Sequence, residues 1–183
     1  GMKVKIVDAD EDGIGEICFK GPNVMLGYYN NQEATDEVLK DGWFHTGDLG
    51  WVDTDSFIYI TGRKKNVIIT ENGKNVFPEE LEYELSHIPF IAESMVWGDN
   101  EGEGVNSTTI AATVTLDEDE VKEALGEEYT DEQAKELVWG EIDKINERLP
   151  LFKKIKKLNI RKTDFNKTTG MKIKRFVESN KDA

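Results

Sequence analysis

Apolar and polar residues alternate along the first third of the chain, which predicts β-strands there. Polar, glycine-containing or acidic segments at 8–13 and 53–55 separate the alternating runs and predict two hairpins. Two hairpins alone are marginal in water, so residues 3–62 are typical of part of a larger domain. The predicted strands are 3–7, 14–20, 49–52 and 57–60, with a short helix at 33–39.

The remainder of the chain combines helical spacing with β-branched runs. Pro78 and the two glutamates that follow it favour a helix start, and Thr130 with Gln133 fits a capping box before a helix that Pro150 ends. The predicted strands are 67–69, 92–97, 108–116 and 158–161, and the predicted helices lie at 78–88, 117–125 and 131–149. Residues 64–183 are therefore predicted to form an α+β domain, a small sheet flanked by helices.

Charge is distributed unevenly along the 183 residues. The net charge is −14, yet residues 151–181 carry eleven basic and two acidic residues, a local net of +9. A basic end on an acidic body indicates nucleic acid or a small polyanion such as ATP or coenzyme A. The basic stretch has only three widely spaced phenylalanines, too few for base stacking, so we expect small-molecule partners and no nucleic acid.

The single cysteine, Cys18, excludes an internal disulfide and favours a reducing, cytoplasmic location. A lone strand thiol is usually inert, and the sequence predicts no metal site. The chain has no apolar run near the roughly 18 residues of a membrane helix. Its first residues also lack the apolar core of a signal peptide.

Two stretches near the middle of the chain carry candidate chemistry. Asp48, after Thr46 and Gly47, can accept two hydrogen bonds from a sugar diol, although a turn aspartate is the alternative. Gly62 is followed by Arg63 and two lysines, which indicates a bend beside an anion or a solvated hairpin turn.

Two later stretches are similar in kind. Gly73 precedes a strand and a helix, where it either lets a ligand approach the backbone or simply forms a hairpin turn. Lys172 lies in a basic loop, where it is either a mobile point charge for an anionic substrate or part of a solvated tail.

The order and spacing of these stretches resemble the adenylate-forming superfamily of acyl-CoA synthetases, aryl-CoA ligases, peptide-synthetase adenylation domains and luciferases. The match runs from about residue 15 to residue 175 and rests on the segments 21–29, 46–48, 62–65 and 78–82. The resemblance implies a two-step reaction. ATP and a carboxylate form an acyl-adenylate and pyrophosphate, and coenzyme A then gives a thioester and AMP.

The resemblance also implies residue roles. Asp48 matches the aspartate that binds the ribose hydroxyls, Arg63 an arginine that helps hold the nucleotide, and Lys65 the hinge. Gly73 matches the loop that approaches the coenzyme A channel, and Lys172 the catalytic lysine that bridges the carboxylate and the α-phosphate. Residues 1–63 would then be the end of the N-terminal adenylating domain, and residues 64–183 the mobile C-terminal domain.

Several departures from the family pattern bear on these assignments. Thr169, Gly170 and Met171 replace a usual Pro-Ser-Gly, and Asn166 replaces a common proline. Together with the segment 73–76, Gly-Lys-Asn-Val, this variant ending looks like the long-chain fatty acyl branch. The Ser/Thr/Gly-rich phosphate loop ending in Lys-Gly does not occur, so we expect this chain alone to be inactive and Mg²⁺ to be bound with ATP mainly by a preceding domain.

Alternatives to the ligase interpretation stay open. The acceptor could be a carrier protein, or the chain could be a stand-alone binding module without catalysis. We also expect the N-terminal strands to expose edges that permit a dimer.

Overall fold

A computed structural model describes residues 1–100 and 108–182. The chain divides into two units, Gly1–Val67 and Ile68–Ala183. The boundary along the chain lies four residues after the predicted division at 63/64. Within the described residues, the first unit contains five strands and one short helix, and the second contains the longer helices and five further strands in two sheets. Within the described residues, no helix has the length and hydrophobicity needed to cross a membrane.

The first unit is built on a five-stranded antiparallel sheet. Strand β4 is its centre, since it pairs with β2, β3 and β5, and β1 adds to the outer edge of β2. Both predicted hairpins, β1 with β2 and β4 with β5, are confirmed. The bounds are β1 Lys3–Val7, β2 Gly15–Lys20, α1 Gln32–Val38, β3 Leu39–Lys40, β4 Trp43–Val52 and β5 Ile58–Arg63.

Close approach of β4 to β5 depends on Gly50. A Cβ built at Gly50 would lie 2.0 Å from the Tyr59 carbonyl oxygen and 2.9 Å from Ile17 Cδ1. The register of the two strands shifts between Leu49 and Gly50, so an extra residue is accommodated at this point. A glycine inside a strand often marks such a bulge or backbone contact.

We expect Gly50→Ala to lower the free energy of unfolding by about 1–3 kcal/mol, because the methyl group must push β5 away. Gly140→Ala is the matched control, since a Cβ there meets nothing within 4 Å. It lies inside a helix, where alanine should stabilise by about 0.5–1 kcal/mol. Urea unfolding of the two variants measures both changes, and equal stability of the two would contradict the strand contact.

The second unit has a three-stranded sheet in the order β10-β9-β8, with β10 parallel and β8 antiparallel to β9. Strands β6 and β7 form a separate two-stranded hairpin. The bounds are β6 Ile68–Ile69, β7 Asn75–Val76, α2 Pro78–Leu85, β8 Ile91–Asp99, β9 Thr109–Leu116, α3 Glu118–Leu125, α4 Asp131–Arg148 and β10 Lys157–Ile160. Short 3₁₀ turns lie at Lys64–Asn66, Leu151–Lys153 and Glu178–Asn180.

Helix ends follow the local signals in the sequence. Asp117 caps α3 by accepting a hydrogen bond from the Glu120 N–H, and Gly126 after the helix has a φ of 94°. Thr130 and Gln133 form the reciprocal capping box at the start of α4. These predictions are confirmed, except that α2 ends at Leu85 and leaves Ile88 buried in the turn that follows.

One hydrophobic core lies between the sheet and the helices of the second unit, which confirms the α+β prediction. On α4, Val138 and Ile142 are fully buried, and on β9 Ala112 and Val114 are as well. They belong to a cluster with Ile68, Val76, Leu81, Leu85, Ile88, Ile91, Val96, Ile110, Ile145, Ile155 and Leu158.

Candidate functional site

Asp48 and Arg63 lie directly opposite each other on β4 and β5. Arg63 Nε is 2.7 Å from Asp48 Oδ1, and the arginine side chain is about half exposed. The Thr46 hydroxyl accepts a hydrogen bond from the Asp48 N–H and donates one to the Ile17 carbonyl, while Gly47 has a φ of 70°. The backbone thus fixes the Asp48 carboxylate beside an accessible guanidinium.

A buried carboxylate, that of Glu16, stabilises the segment around Gly47 in β4. Glu16 Oε1 accepts a hydrogen bond from the Gly47 N–H at 3.0 Å, and Glu16 Oε2 lies 3.1 Å from Lys64 Nζ and 3.2 Å from His45 Nδ1. Burial opposes ionisation of Glu16, but hydrogen bonds from His45, Lys64 and Gly47 outweigh it and lower its pKa.

Cys18 lies on the same face of β2 as Glu16, with its Sγ 3.4 Å from His45 Nδ1. Burial and the neighbouring Glu16 raise the pKa of the Cys18 thiol, as expected for an unreactive thiol. Local sequence patterns do not reveal this cluster. The pairing of Cys18 with His45 would indicate the cluster, but predicting that pair requires knowledge of the register of β2 against β4.

Lys65 is exposed in the middle of the 3₁₀ turn Lys64–Asn66. The two units divide after Val67, two residues further along the chain. Short 3₁₀ turns are frequent connectors between elements, and this one connects β5 to β6.

Gly73 lies in the turn that joins β6 to β7. Its N–H donates to the Thr70 carbonyl at 2.8 Å, and its φ is 69°. A Cβ at this position would meet nothing within 4 Å. The conformation of the turn alone explains a glycine here.

Lys172 is exposed at the end of a small hairpin loop. The Thr168 N–H donates to the Lys172 carbonyl at 2.8 Å, the Lys172 N–H donates to the Thr168 hydroxyl, and Lys167 bridges to Ile173. In the described part of the chain, no carboxylate lies within ion-pair distance of Lys172 Nζ.

Partly buried ion pairs anchor this loop on both sides. Lys167 Nζ pairs with Glu93 at 2.7 Å before the loop. After it, Arg175 makes a two-pronged ion pair with Glu82, whose Oε1 also accepts a hydrogen bond from the Val96 N–H at 2.7 Å. The lysine therefore extends from a fixed base.

The five residues with assigned roles fall into two groups. The first unit brings Asp48 and Arg63 together and carries Lys65 near its end, whereas Gly73 and Lys172 belong to the second unit. Many of the other cations of the basic stretch are used within the second unit, because Lys153, Lys157 and Lys162 pair with Glu80, Asp99 and Asp131.

Among curated proteins, the long-chain-fatty-acid–CoA ligase FadD15 of Mycobacterium tuberculosis is 36% identical over 185 residues, covering 92% of this chain and 30% of that protein. The long-chain-fatty-acid–CoA ligase ACSBG1 of Rattus norvegicus is 46% identical over 101 residues, 54% of this chain and 14% of that protein. The chain thus spans less than a third of the length of these relatives.

The chain is also similar to solved structures of a CoA synthetase. The o-succinylbenzoate CoA synthetase MenE of Bacillus subtilis, in complex with the acyl-adenylate intermediate OSB-AMP, superposes with a TM-score of 0.74 and 30% identity over all of this chain and 34% of that one. The same enzyme with ATP and magnesium gives a TM-score of 0.70 and 28% identity over 95% of this chain and 33% of that one.

Residues 65–177 match the family described as the AMP-binding enzyme C-terminal domain. This match covers more than half of the chain and includes the capped helices, the three-stranded sheet and the loop of Lys172. The chain therefore belongs to the family of AMP-binding enzyme C-terminal domains.

Proposed function

We propose that this chain is the C-terminal part of an ATP-dependent, AMP-forming acyl-CoA ligase of the long-chain fatty acyl branch. The reaction converts a fatty acid, ATP and coenzyme A into acyl-CoA, AMP and pyrophosphate. The observation that carries the proposal is the Asp48–Arg63 pair, which joins the middle of β4 to the last residue of β5 in a chain whose relatives are named as such ligases.

In this proposal, Asp48 accepts hydrogen bonds from the ribose hydroxyls of the nucleotide. Charged acceptors make hydrogen bonds roughly twice as strong as neutral ones, and a fixed carboxylate loses little entropy on binding. Arg63 holds that carboxylate in place and offers its exposed guanidinium face to the phosphate side of the nucleotide.

Lys172 supplies the cation for the first half-reaction. Joining a fatty carboxylate to the α-phosphate brings two anions together, and a preorganised ammonium group between them stabilises the transition state. The anchored hairpin on both sides of Lys172 supports this role, because it limits the positions that Nζ can take.

The second half-reaction requires the thiol of coenzyme A to reach the acyl-adenylate. We propose that the second unit rotates about Lys65, which withdraws Lys172 and brings the turn of Gly73 to the thiol channel. Lys65 suits a hinge because it is exposed, lies in a short 3₁₀ turn and precedes the division between the units.

We expect Lys65→Pro to separate the two half-reactions in the enzyme that contains this chain. Proline fixes φ near −65° and removes a backbone donor, so only one of the two arrangements should be retained. Thioester formation from supplied acyl-adenylate should fall by up to about a hundredfold, the cost of a misplaced reacting group, while adenylation is spared. Lys64→Pro places the same substitution one residue earlier and is the control for the position of the hinge. An unimpaired thioester step in Lys65→Pro would place the hinge elsewhere.

Magnesium enters with ATP, and the only candidate metal cluster among the described residues does not suit it. The described residues contain one cluster with metal-ligand spacing, Glu16, Cys18 and His45. It offers sulfur and nitrogen, whereas Mg²⁺ prefers six oxygen ligands. We therefore propose that Mg²⁺ is held by the ATP phosphates and by parts of the enzyme that precede this chain.

The ligase assignment is tested by the product. The enzyme containing this chain should exchange pyrophosphate into ATP in the presence of long-chain fatty acids and then release acyl-CoA. The 183-residue chain alone should show no exchange, since it has no phosphate loop. Exchange by the chain alone, abolished by Lys172→Ala, would overturn the proposal. Transfer to a carrier protein in place of coenzyme A would replace the acceptor, and no exchange by the full enzyme would favour a binding module.

A further inference from the structure

The first unit contains a three-residue cluster that the proposed ligase chemistry does not use. Glu16 and Cys18 lie two residues apart on the same face of β2, and His45 is directly opposite Cys18 on β4. Their donor atoms, a carboxylate oxygen, a thiol sulfur and an imidazole nitrogen, all lie within 4.8 Å of one another. Glu16 and Cys18 are buried, and the His45 side chain is one-fifth exposed.

The spacing of these atoms is close to that of a metal coordination sphere. His45 Nδ1 is 3.4 Å from Cys18 Sγ and 3.2 Å from Glu16 Oε2. Zinc ligands at about 2.0–2.3 Å in tetrahedral geometry lie roughly 3.3–3.6 Å from one another. Both distances to His45 therefore already fit a tetrahedral site, and a shift of the Cys18 or Glu16 side chain would close the remaining separation, which is at most 4.8 Å.

We propose that Glu16, Cys18 and His45 form a binding site for a borderline-soft divalent cation, with Zn²⁺ as the best match. Thiolate and imidazole ligands select zinc over magnesium or calcium, and one carboxylate completes a three-ligand set with a fourth position for water. The inference is independent of the ligase proposal, because it rests on the side chains of β2 and β4 alone.

Binding would exchange existing contacts without breaking the fold. The ion displaces the proton from Cys18 Sγ to solvent, and His45 binds through Nδ1 as the neutral ring with its proton on Nε2. Glu16 Oε2 turns from His45 to the ion, while Glu16 Oε1 keeps its hydrogen bond from the Gly47 N–H. The ion would thus join β2 to β4 immediately before Asp48.

Lys64 is the competing cation at this site. Its Nζ lies 3.1 Å from the same Glu16 oxygen, and its side chain is more than half exposed. The ammonium group can therefore move into solvent when a divalent ion takes its place. Removing that charge should strengthen metal binding, by up to about fivefold for a partly exposed ion pair.

The test is calorimetric titration of the chelator-treated 183-residue chain with Zn²⁺, and optical titration with Co²⁺. We expect one ion per chain and a thiolate-to-cobalt charge-transfer band. Cys18→Ser and His45→Gln should each weaken binding by at least about a hundredfold, since even residues that only orient ligands cost 10–100-fold. His87→Gln is the matched control, because His87 is the only other histidine and is exposed.

Two further measurements keep the result interpretable if a buried variant folds poorly. In the unmodified chain, Zn²⁺ should protect Cys18 from a thiol reagent under native conditions. Lys64→Ala should bind Zn²⁺ more tightly, with its circular dichroism unchanged. Absence of a stoichiometric ion, absence of the cobalt band, or binding that is lost in His87→Gln and kept in Cys18→Ser would each overturn the proposal.

Discussion

Lys172→Ala is expected to slow acyl-adenylate formation by roughly 10²–10³ in the enzyme that contains this chain, the cost of removing one preorganised electrostatic contact from a transition state. Thioester formation from supplied acyl-adenylate should be nearly unchanged, because the proposed rotation about Lys65 has withdrawn the ammonium group by then. Single-turnover assays that follow pyrophosphate release and acyl-CoA separately measure the two effects.

Lys174→Ala provides the matched control for this substitution. Lys174 is also an exposed lysine of the same tail, two residues further on, and its backbone N–H donates to the Asn166 carbonyl, which an alanine retains. Surface substitutions away from a site usually change free energies by less than about 0.5 kcal/mol, so both half-reactions should be preserved. Equal losses in the two half-reactions for Lys172→Ala, or a similar loss in Lys174→Ala, would show that Lys172 is not the adenylation lysine.

Much of the fold follows from local signals in the sequence. The capping box at Thr130, the cap at Asp117 and the terminating Gly126 place α3 and α4 within a residue of the prediction. Strand β4 is different, since the alternation predicts only 49–52 and the strand runs from Trp43 to Val52. Trp43, Phe44 and Thr46 favour a strand, but Gly47 and Asp48 do not, and the pairing with β2 on both sides of these two residues carries the strand through them.

Sequence motifs nominate the candidate site residues one by one, but they do not give the arrangement of these residues. The motifs identify Asp48 and Arg63, whereas their pairing depends on a register that shifts between Leu49 and Gly50. Nothing local marks Glu16 as the support of Gly47, because the two are 31 residues apart in sequence. Tertiary contacts of this kind are set by strand pairing, which short-range patterns do not encode.

The basic tail of the chain makes buried contacts that its composition does not predict. A run of lysines and arginines suggests a solvated basic segment, yet Arg161 is buried and donates to the carbonyls of Thr163, Asp164 and Ser179. Asn180 is fully buried and bonds to the backbone of Asn166. These contacts organise residues 161–180 around the loop of Lys172, and no periodic pattern in the sequence predicts them.

Arg175→Met is expected to lower the free energy of unfolding of the second unit by about 3 kcal/mol, because it leaves Glu82 as a buried and uncompensated charge. Arg175 and Glu82 are each about one-fifth exposed, which favours the lower end of the 3–5 kcal/mol typical of broken buried pairs. Denaturant unfolding, followed by circular dichroism, measures the change. Lys162→Met is the matched control, since the Lys162–Asp131 pair is exposed and its loss should not measurably alter stability.

The dependence of this loss on pH and on a second substitution tests its cause. Burial already raises the pKa of Glu82 even with Arg175 beside it, and removing the arginine should raise it further. A carboxyl group with a raised pKa in the folded state destabilises that state above the raised pKa and ceases to do so as pH falls to its ordinary range. The difference between Arg175→Met and the unmodified chain should therefore be largest at neutral pH and shrink in acid. Adding Glu82→Gln should recover part of the loss at neutral pH, because the amide oxygen can still accept the hydrogen bond from the Val96 N–H. A loss that is independent of pH and unchanged by Glu82→Gln would instead assign the effect to packing of the arginine side chain.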